Sequence, residues 1–198
     1  LRVVVPDLEG IIKEYAINLE LARSGDVEHQ KRYDWILIEL FDQIVRTESG
    51  GEMLNYWKKN PMPAEEYVFH RLGSEARRFV ESIRNSSPPA NPTRQSNKFE
   101  KFRYIFSKEN LKIKLLQKLL KEEIGYLQIE RFRSSGEIHK WMYDSYSLGK
   151  SLEESGFNNV RIQTAFESSI PGFKDYFLDS EPDGFIRKPD SLFMEGQK

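Results

Sequence analysis

The chain has 198 residues, of which 38% are apolar and 31% charged, with a formal net charge of −1; that is enough sequence for one ordinary domain with a sizeable core, in a polar but not disordered chain. The balanced charge sets up no global field toward nucleic acid or a membrane surface, and no run of ~18 apolar residues is present to cross a bilayer. The absence of cysteine excludes disulfides, zinc–thiolate sites and cysteine nucleophiles, and fits a cytoplasmic protein.

Leu1–Val5 is a short β-branched run closed by Pro6-Asp7, which reads as a strand buried on both faces followed by a turn. Helical signals then dominate. Ile11–Ala22 is amphipathic and stops near Ser24-Gly25. A stronger helix spans about 27–47, with Tyr33, Leu37, Leu40, Phe41 and Ile44 on one stripe and Gly50-Gly51 at its end. Another runs from about Ala64 to Arg84, entered through Pro63 and open to a bend at Gly73. SSPPANPTRQSN (86–97) is the clearest loop. Beyond it, Ser107 caps a helix with Leu111, Leu115, Leu119 and Ile124 on one face.

The last sixty residues change character. DSYSLGKSLEESGF places a cap, Asp144 or Ser145, before Leu148 and Leu152, and Gly156 as the stop. NNVRIQTAF then alternates Val160, Ile162 and Phe166 against polar neighbours, as a strand does, and PDSLFMEGQK closes on a strand around Leu192–Glu195. The order is strand, helical block, helix, strand, strand, the shape of the end of an open α/β sheet.

On these segments the chain resembles the class I S-adenosylmethionine-dependent methyltransferases, in particular the broad type 11-like group. LRVVVPDLE resembles that family's fifth strand, HKWMYDSYSLGKSLEESGFNNVRIQTAF its last helix and sixth strand, and RKPDSLFMEGQK its terminal strand. The likeness covers residues 1–9 and about 137–198. It implies an α/β fold: the C-terminal half of a Rossmann-like sheet (strands 5, 6 and 7), with the seventh antiparallel between the other two. Residues 1–9 would be strand 5, residues 10–136 a mainly helical insertion containing the 86–97 loop, and residues 137–198 the last helix and strands 6 and 7. The implied cofactor is S-adenosyl-L-methionine and the implied partner a methyl acceptor whose identity the sequence does not spell.

The family holds its cofactor on a glycine-rich loop in the first half of the sheet, where glycines let backbone approach the ligand and a carboxylate accepts the ribose hydroxyls. This sequence has no Gly-x-Gly. At roughly 30 residues per strand–helix unit, about 100 residues of a missing N-terminal half are expected upstream. The 198 residues alone are therefore expected neither to bind the cofactor nor to be active. The first strand is expected to expose an apolar edge, open to self-association through residues 1–5.

Ligands in open α/β sheets bind beyond the carboxyl ends of the strands, so Asp7, just past the first strand, is a substrate-binding candidate; its other reading is a turn-forming Asp after Pro. His139 and Tyr143, beside Trp141, lie on the family's acceptor side and are candidates for the pocket, against an aromatic packing cluster as the alternative. Glu39, Asp42, Gln43 and Arg46 share one stripe of the strongest helix. Asp42 and Arg46 are acceptor-site candidates if that stripe faces a pocket, and an intrahelical ion pair if it faces solvent. The catalytic residue stays open. Three scattered histidines without cysteine offer no metal spacing.

A non-enzymatic reading competes. Residues 94–140 hold 12 basic and 6 acidic side chains together with Phe99, Phe102, Tyr104 and Phe106, the combination used by single-stranded nucleic-acid binders. A helical adaptor or RNA-binding module is the alternative, although the segment carries no recognisable RNA-binding signature. A natural truncation acting as a structural partner is the third.

Overall fold

The computed structural model describes residues 1–85 and 120–198; the 86–97 loop, residues 107–119 of the helix capped by Ser107 and residues 94–119 of the basic segment lie outside the described residues. The order is β1 (Arg2–Pro6), α1 (Leu8–Arg23), α2 (Val27–Val45), α3 (Gly51–Trp57), α4 (Glu65–Asn85), α5 (Lys121–Arg133), α6 (Ser145–Glu154), β2 (Asn158–Gln163), a 3₁₀ turn (Phe173–Tyr176) and β3 (Ser191–Gln197). The fold is mixed α/β, with six α-helices among the described residues and one three-stranded antiparallel sheet. One compact unit comprises residues 1–46, 50–85 and 139–198; a second comprises 47–49 and 86–138 and contains α5. Helices α1–α4, expected as part of an insertion, thus share a unit with the sheet. Among the described residues no helix is long and apolar enough to cross a membrane.

The helices begin where side-chain oxygens meet orphan N–H groups. Asp7 accepts from the Glu9 N–H at 3.1 Å to open α1, and Asp26 accepts from Glu28 and His29 at 2.9 and 3.0 Å to open α2. Asp144 and Ser147 form a reciprocal capping box on α6. Helix α3 follows Gly50 and has no cap of its own. Its N-terminus is closed by Asp42 of α2, whose carboxylate accepts from Glu52 at 2.7 Å and Met53 at 3.4 Å.

The expected stripe on α2 is displaced. Trp35, Ile36, Glu39 and Asp42 are the buried residues, while Phe41 is exposed. The reason is that α2 is covered from two directions. Ile36 packs with Ile11 of α1 and Met142, whereas Trp35 joins Met53, Tyr56, Val68, Leu72 and Val80 from α3 and α4. Two partners bury a wider arc than one amphipathic stripe supplies.

The sheet has the order β1-β3-β2, both pairs antiparallel. Val3 and Val5 of β1, Leu192 and Met194 of β3 and Val160 of β2 cover the α6 residues Leu148 and Leu152. The other face carries Arg2, Val4, Phe193 and Glu195. Burial of β1 on both faces is not found: it is an edge strand, half-buried, with Val4 38% exposed. The alternation expected through β2 also breaks. Asn158 pairs with Gln197 and Arg161 with Glu195, so β2 carries an extra residue, with Asn159 at φ 52°, a β-bulge. Ile162, opposite Met194 on this outer strand, stays 60% exposed, and Phe166 falls beyond the strand.

Arg2 anchors the long connection from β2 to β3. Its guanidinium donates to Asp179 (2.7 Å), Glu195 (2.8 Å) and the carbonyls of Thr164 and Glu167, and lies 4.5 Å from the Phe173 ring centre. Glu195 in turn accepts from the Ser168 hydroxyl and the Ser169 N–H. Burial works to raise the Glu195 pKa, but these donors together with Arg2 outweigh it and hold the carboxyl at about 2.

Helix α4 bends at Gly73, where φ is 75° and ψ −158°, backbone that only glycine adopts without strain. A Cβ there would also lie 2.5 Å from the carbonyl oxygens of Ile186 and Arg187. Gly73→Ala is therefore expected to cost about 3 kcal/mol; a loss under about 1 kcal/mol in urea unfolding would contradict this account of the bend.

Candidate functional site

A cavity of about 610 Å³ opens where the carboxyl end of β1 meets the start of β3. Val4, Val5 and Pro6 form one wall; Met53 and Trp57 of α3 and Leu72, Ala76 and Phe79 of α4 form the apolar remainder. The polar lining is Gln43, Arg46, Glu75, His139, Lys188, Asp190 and Ser191. A second hollow of the same volume shares Val4, Glu75, Phe79 and Lys188. Its charges are spent on one another: Arg78 and Arg187 with Glu181, Asp179 with Arg2, Lys188 with Glu75. The first cavity is the candidate site because it holds an ionisable group that no other described residue's donor satisfies.

That group is Asp190, 9% exposed. The antiparallel pairing of β1 and β3 places it, since the residue preceding β3 meets the residue following β1 and the Asp7 N–H donates to the Asp190 carbonyl at 2.9 Å. Beside it lies a buried pair. Glu39, fully buried, accepts from the Trp35 indole N–H at 2.9 Å and from the Arg71 guanidinium at 2.5 Å. The Arg71 guanidinium is bonded to Glu39 and acts on Asp190 only through its charge. Burial and the Glu39 charge, offset in part by Arg71, push the Asp190 carboxyl up to about 7. His139 moves the other way: burial first, then the positive charges of Arg46 and Lys188, lower its pKa, which favours a neutral imidazole. Its backbone N–H donates to the Gln43 carbonyl at 3.0 Å, fixing the segment before α6 against α2.

The residues singled out from sequence divide. Arg46 and His139 line the cavity. Asp7 is the N-cap of α1, and Asp42 is the remote cap of α3, where a Cβ on Gly51 would lie 2.4 Å from its carboxylate. Tyr143 packs against the sheet–α6 core, and its carbonyl accepts from the Leu8 N–H. The polar stripe of α2 does turn inward, with Gln43 and Arg46 on the cavity, Glu39 behind it and Asp42 beyond. Sequence reasoning missed Asp190 and Arg71. The available signal for Asp190 was a Pro-Asp, one of three in the sequence with Pro6-Asp7 and Pro182-Asp183, and it meets Pro6-Asp7 once the final strand pairs antiparallel with the first. Nothing local marks Arg71, 32 positions from Glu39.

The Asp190 and Glu75 carboxyls, the His139 imidazole and the Gln43 amide on the lining of one partly apolar cavity can bind a polar group of a small ligand and move its proton. Among the described residues no group of His, Asp and Glu side chains could hold a metal ion. The sequence has no Gly-x-Gly, and among the described residues no glycine-rich loop follows a strand, so these residues do not fit S-adenosylmethionine by the means its enzymes use. No protein-family model, no curated protein and no solved structure matches the chain.

Proposed function

We propose that residues 1–198 form the acceptor-binding part of an S-adenosylmethionine-dependent methyltransferase whose cofactor-binding half is encoded upstream. The observation that carries the reading is the sheet. Helix α6 leads into β2, and the final strand β3 then runs antiparallel between β2 and β1, the strand arrangement at the end of the methyltransferase sheet. The position of the cavity supports the same reading, since it lies at the carboxyl end of β1, where ligands of open α/β sheets sit.

Methyl transfer needs an acceptor held in line and kept from water, with a base where the acceptor must lose a proton. Trp57, Leu72 and Phe79 supply an apolar wall, and the polar groups of the lining orient the acceptor. The test is the coding DNA in frame upstream of Leu1. It is expected to encode a strand followed by an acidic-x-Gly-x-Gly loop about 100 residues back. The protein expressed from the whole frame should bind the cofactor stoichiometrically. A stop codon at once upstream, or a complete protein that does not bind the cofactor, would overturn the proposal.

A further inference from the structure

We infer that the cavity between β1 and helices α3 and α4 binds a small, neutral, hydroxyl-bearing aromatic molecule, with Asp190 as the acceptor of its hydroxyl proton. The inference deepens the methyltransferase reading, on which it rests only in calling this molecule the methyl acceptor.

Size comes first: about 610 Å³ lies within the range of sites for single small molecules. Shape and polarity follow from the lining. The rings of Trp57 and Phe79 meet edge to face with centres 5.5 Å apart, and Phe79 is 47% exposed. Val4 and Val5 supply apolar surface on the strand side. A ligand charged or hydroxylated all round would strip its polar groups of water against these residues, whereas a hydrocarbon would leave Asp190, His139 and Gln43 unpaired. One apolar ring with a polar end satisfies both.

Charge narrows the class further. The groups that face Asp190 are Glu39 and Arg71 behind it and Lys188 two residues away, with Arg46, Glu75 and His139 on the same cavity. Lys188 pairs with Glu75 at 3.5 Å and Arg71 with Glu39. An anionic ligand meets the Glu75 and Asp190 carboxyls, and a cationic one meets Arg46 and Lys188, so neither sign is favoured. A neutral hydroxyl avoids both conflicts. It donates to a carboxylate oxygen of Asp190, and transfer of its proton leaves a neutral carboxylic acid and an aryl oxide. An Asp190 pKa near neutrality suits that exchange. Arg71 and Glu39 act as positioning residues, because they touch Asp190's surroundings and not the cavity lining.

The probes are 4-methylphenol and toluene, alike in ring and methyl group and different only in the hydroxyl, titrated onto the intact protein without cofactor and followed by NMR. Saturable binding of 4-methylphenol is expected, with toluene weaker by about 10-fold or more. Asp190→Asn should bring the two within about threefold of each other. Phe79→Ala, at an exposed position that leaves folding intact, should weaken both about 10-fold while keeping their ratio. No saturable 4-methylphenol binding, equal affinity for the two probes in the wild-type protein, or an unchanged ratio in Asp190→Asn would overturn the inference. Because no cofactor is present, these results stand apart from those that decide the methyltransferase reading.

Discussion

Asp190→Asn should make the protein more stable above neutrality and flatten its response to pH. The Asp190 carboxyl lies at about 7 in the folded chain against an ordinary value of 3.8, raised by burial and by Glu39 and restrained by Arg71. An acid whose folded pKa is raised binds its proton more tightly in the native state. It therefore favours folding fully below about pH 4, and this contribution drains away as the pH rises to about 7. The interval corresponds to about 4 kcal/mol. An asparagine is close to the same size and needs no proton, so it removes that slope. The variant is expected to exceed the wild type by about 4 kcal/mol at about pH 8 and by about 2 kcal/mol at about pH 5. Urea unfolding at the two pH values measures this. His139, whose pKa is lowered, contributes stability of the opposite pH sense, but it is present in both proteins and cancels in the comparison. Equal slopes for the two proteins would show that Asp190 is not the group responsible.

Arg71→Met should be among the most damaging single substitutions in the chain. Glu39 is fully buried, with Arg71 and the Trp35 indole as its partners. Removing the guanidinium leaves the carboxylate with one neutral donor in a dry environment, a change that costs about 3–5 kcal/mol. The cost belongs to the orphaned carboxylate more than to the lost attraction, so adding Glu39→Leu to Arg71→Met should recover a large part of it. A double-mutant cycle by thermal or urea unfolding decides the matter. If the double variant were as unstable as the sum of the two single ones, the pair would not be acting as a unit. Arg71→Met should also carry the Asp190 titration upward, because the positive charge that restrains it would be gone. The same substitution thus tests both halves of the cluster.

Local signals in the sequence located most of the helices and strands. Asp144, Gly156 and the kink at Gly73 each act within a few residues, and the structure has a cap, a stop at φ 84° and a bend at those positions. What the sequence could not convey came from distance. The α2 face was misplaced because its burial is shared between α1 and the α3–α4 pair, and periodicity counts one partner only. Asp42 reads as part of an intrahelical pair until α3 folds back onto it. Nothing in the β-branched run 1–5 sets Arg2 apart, yet it joins β1 to β3 and to the connection between β2 and β3. Of the cavity, Arg46 and His139 were legible, since each sits on a segment with recognisable character. Asp190 was not, since its electrostatic setting depends on residues 39 and 71 and its position on the pairing of strands nearly 190 positions apart.

The sheet has one further consequence, for the order of folding events. Each ladder in it is made by β3: β1 pairs with β3, and so does β2. The seven residues Ser191–Gln197 are therefore the keystone of the sheet, and they leave the ribosome after both of the strands they join. Helices α1 to α4 can nucleate on local contacts while the chain is still being made, but the β1–β3 ladder must wait for a segment nearly 190 residues later. Closing so long a loop is entropically costly before any ladder bond repays it, which makes assembly of these three strands a late, slow event in the folding of this chain.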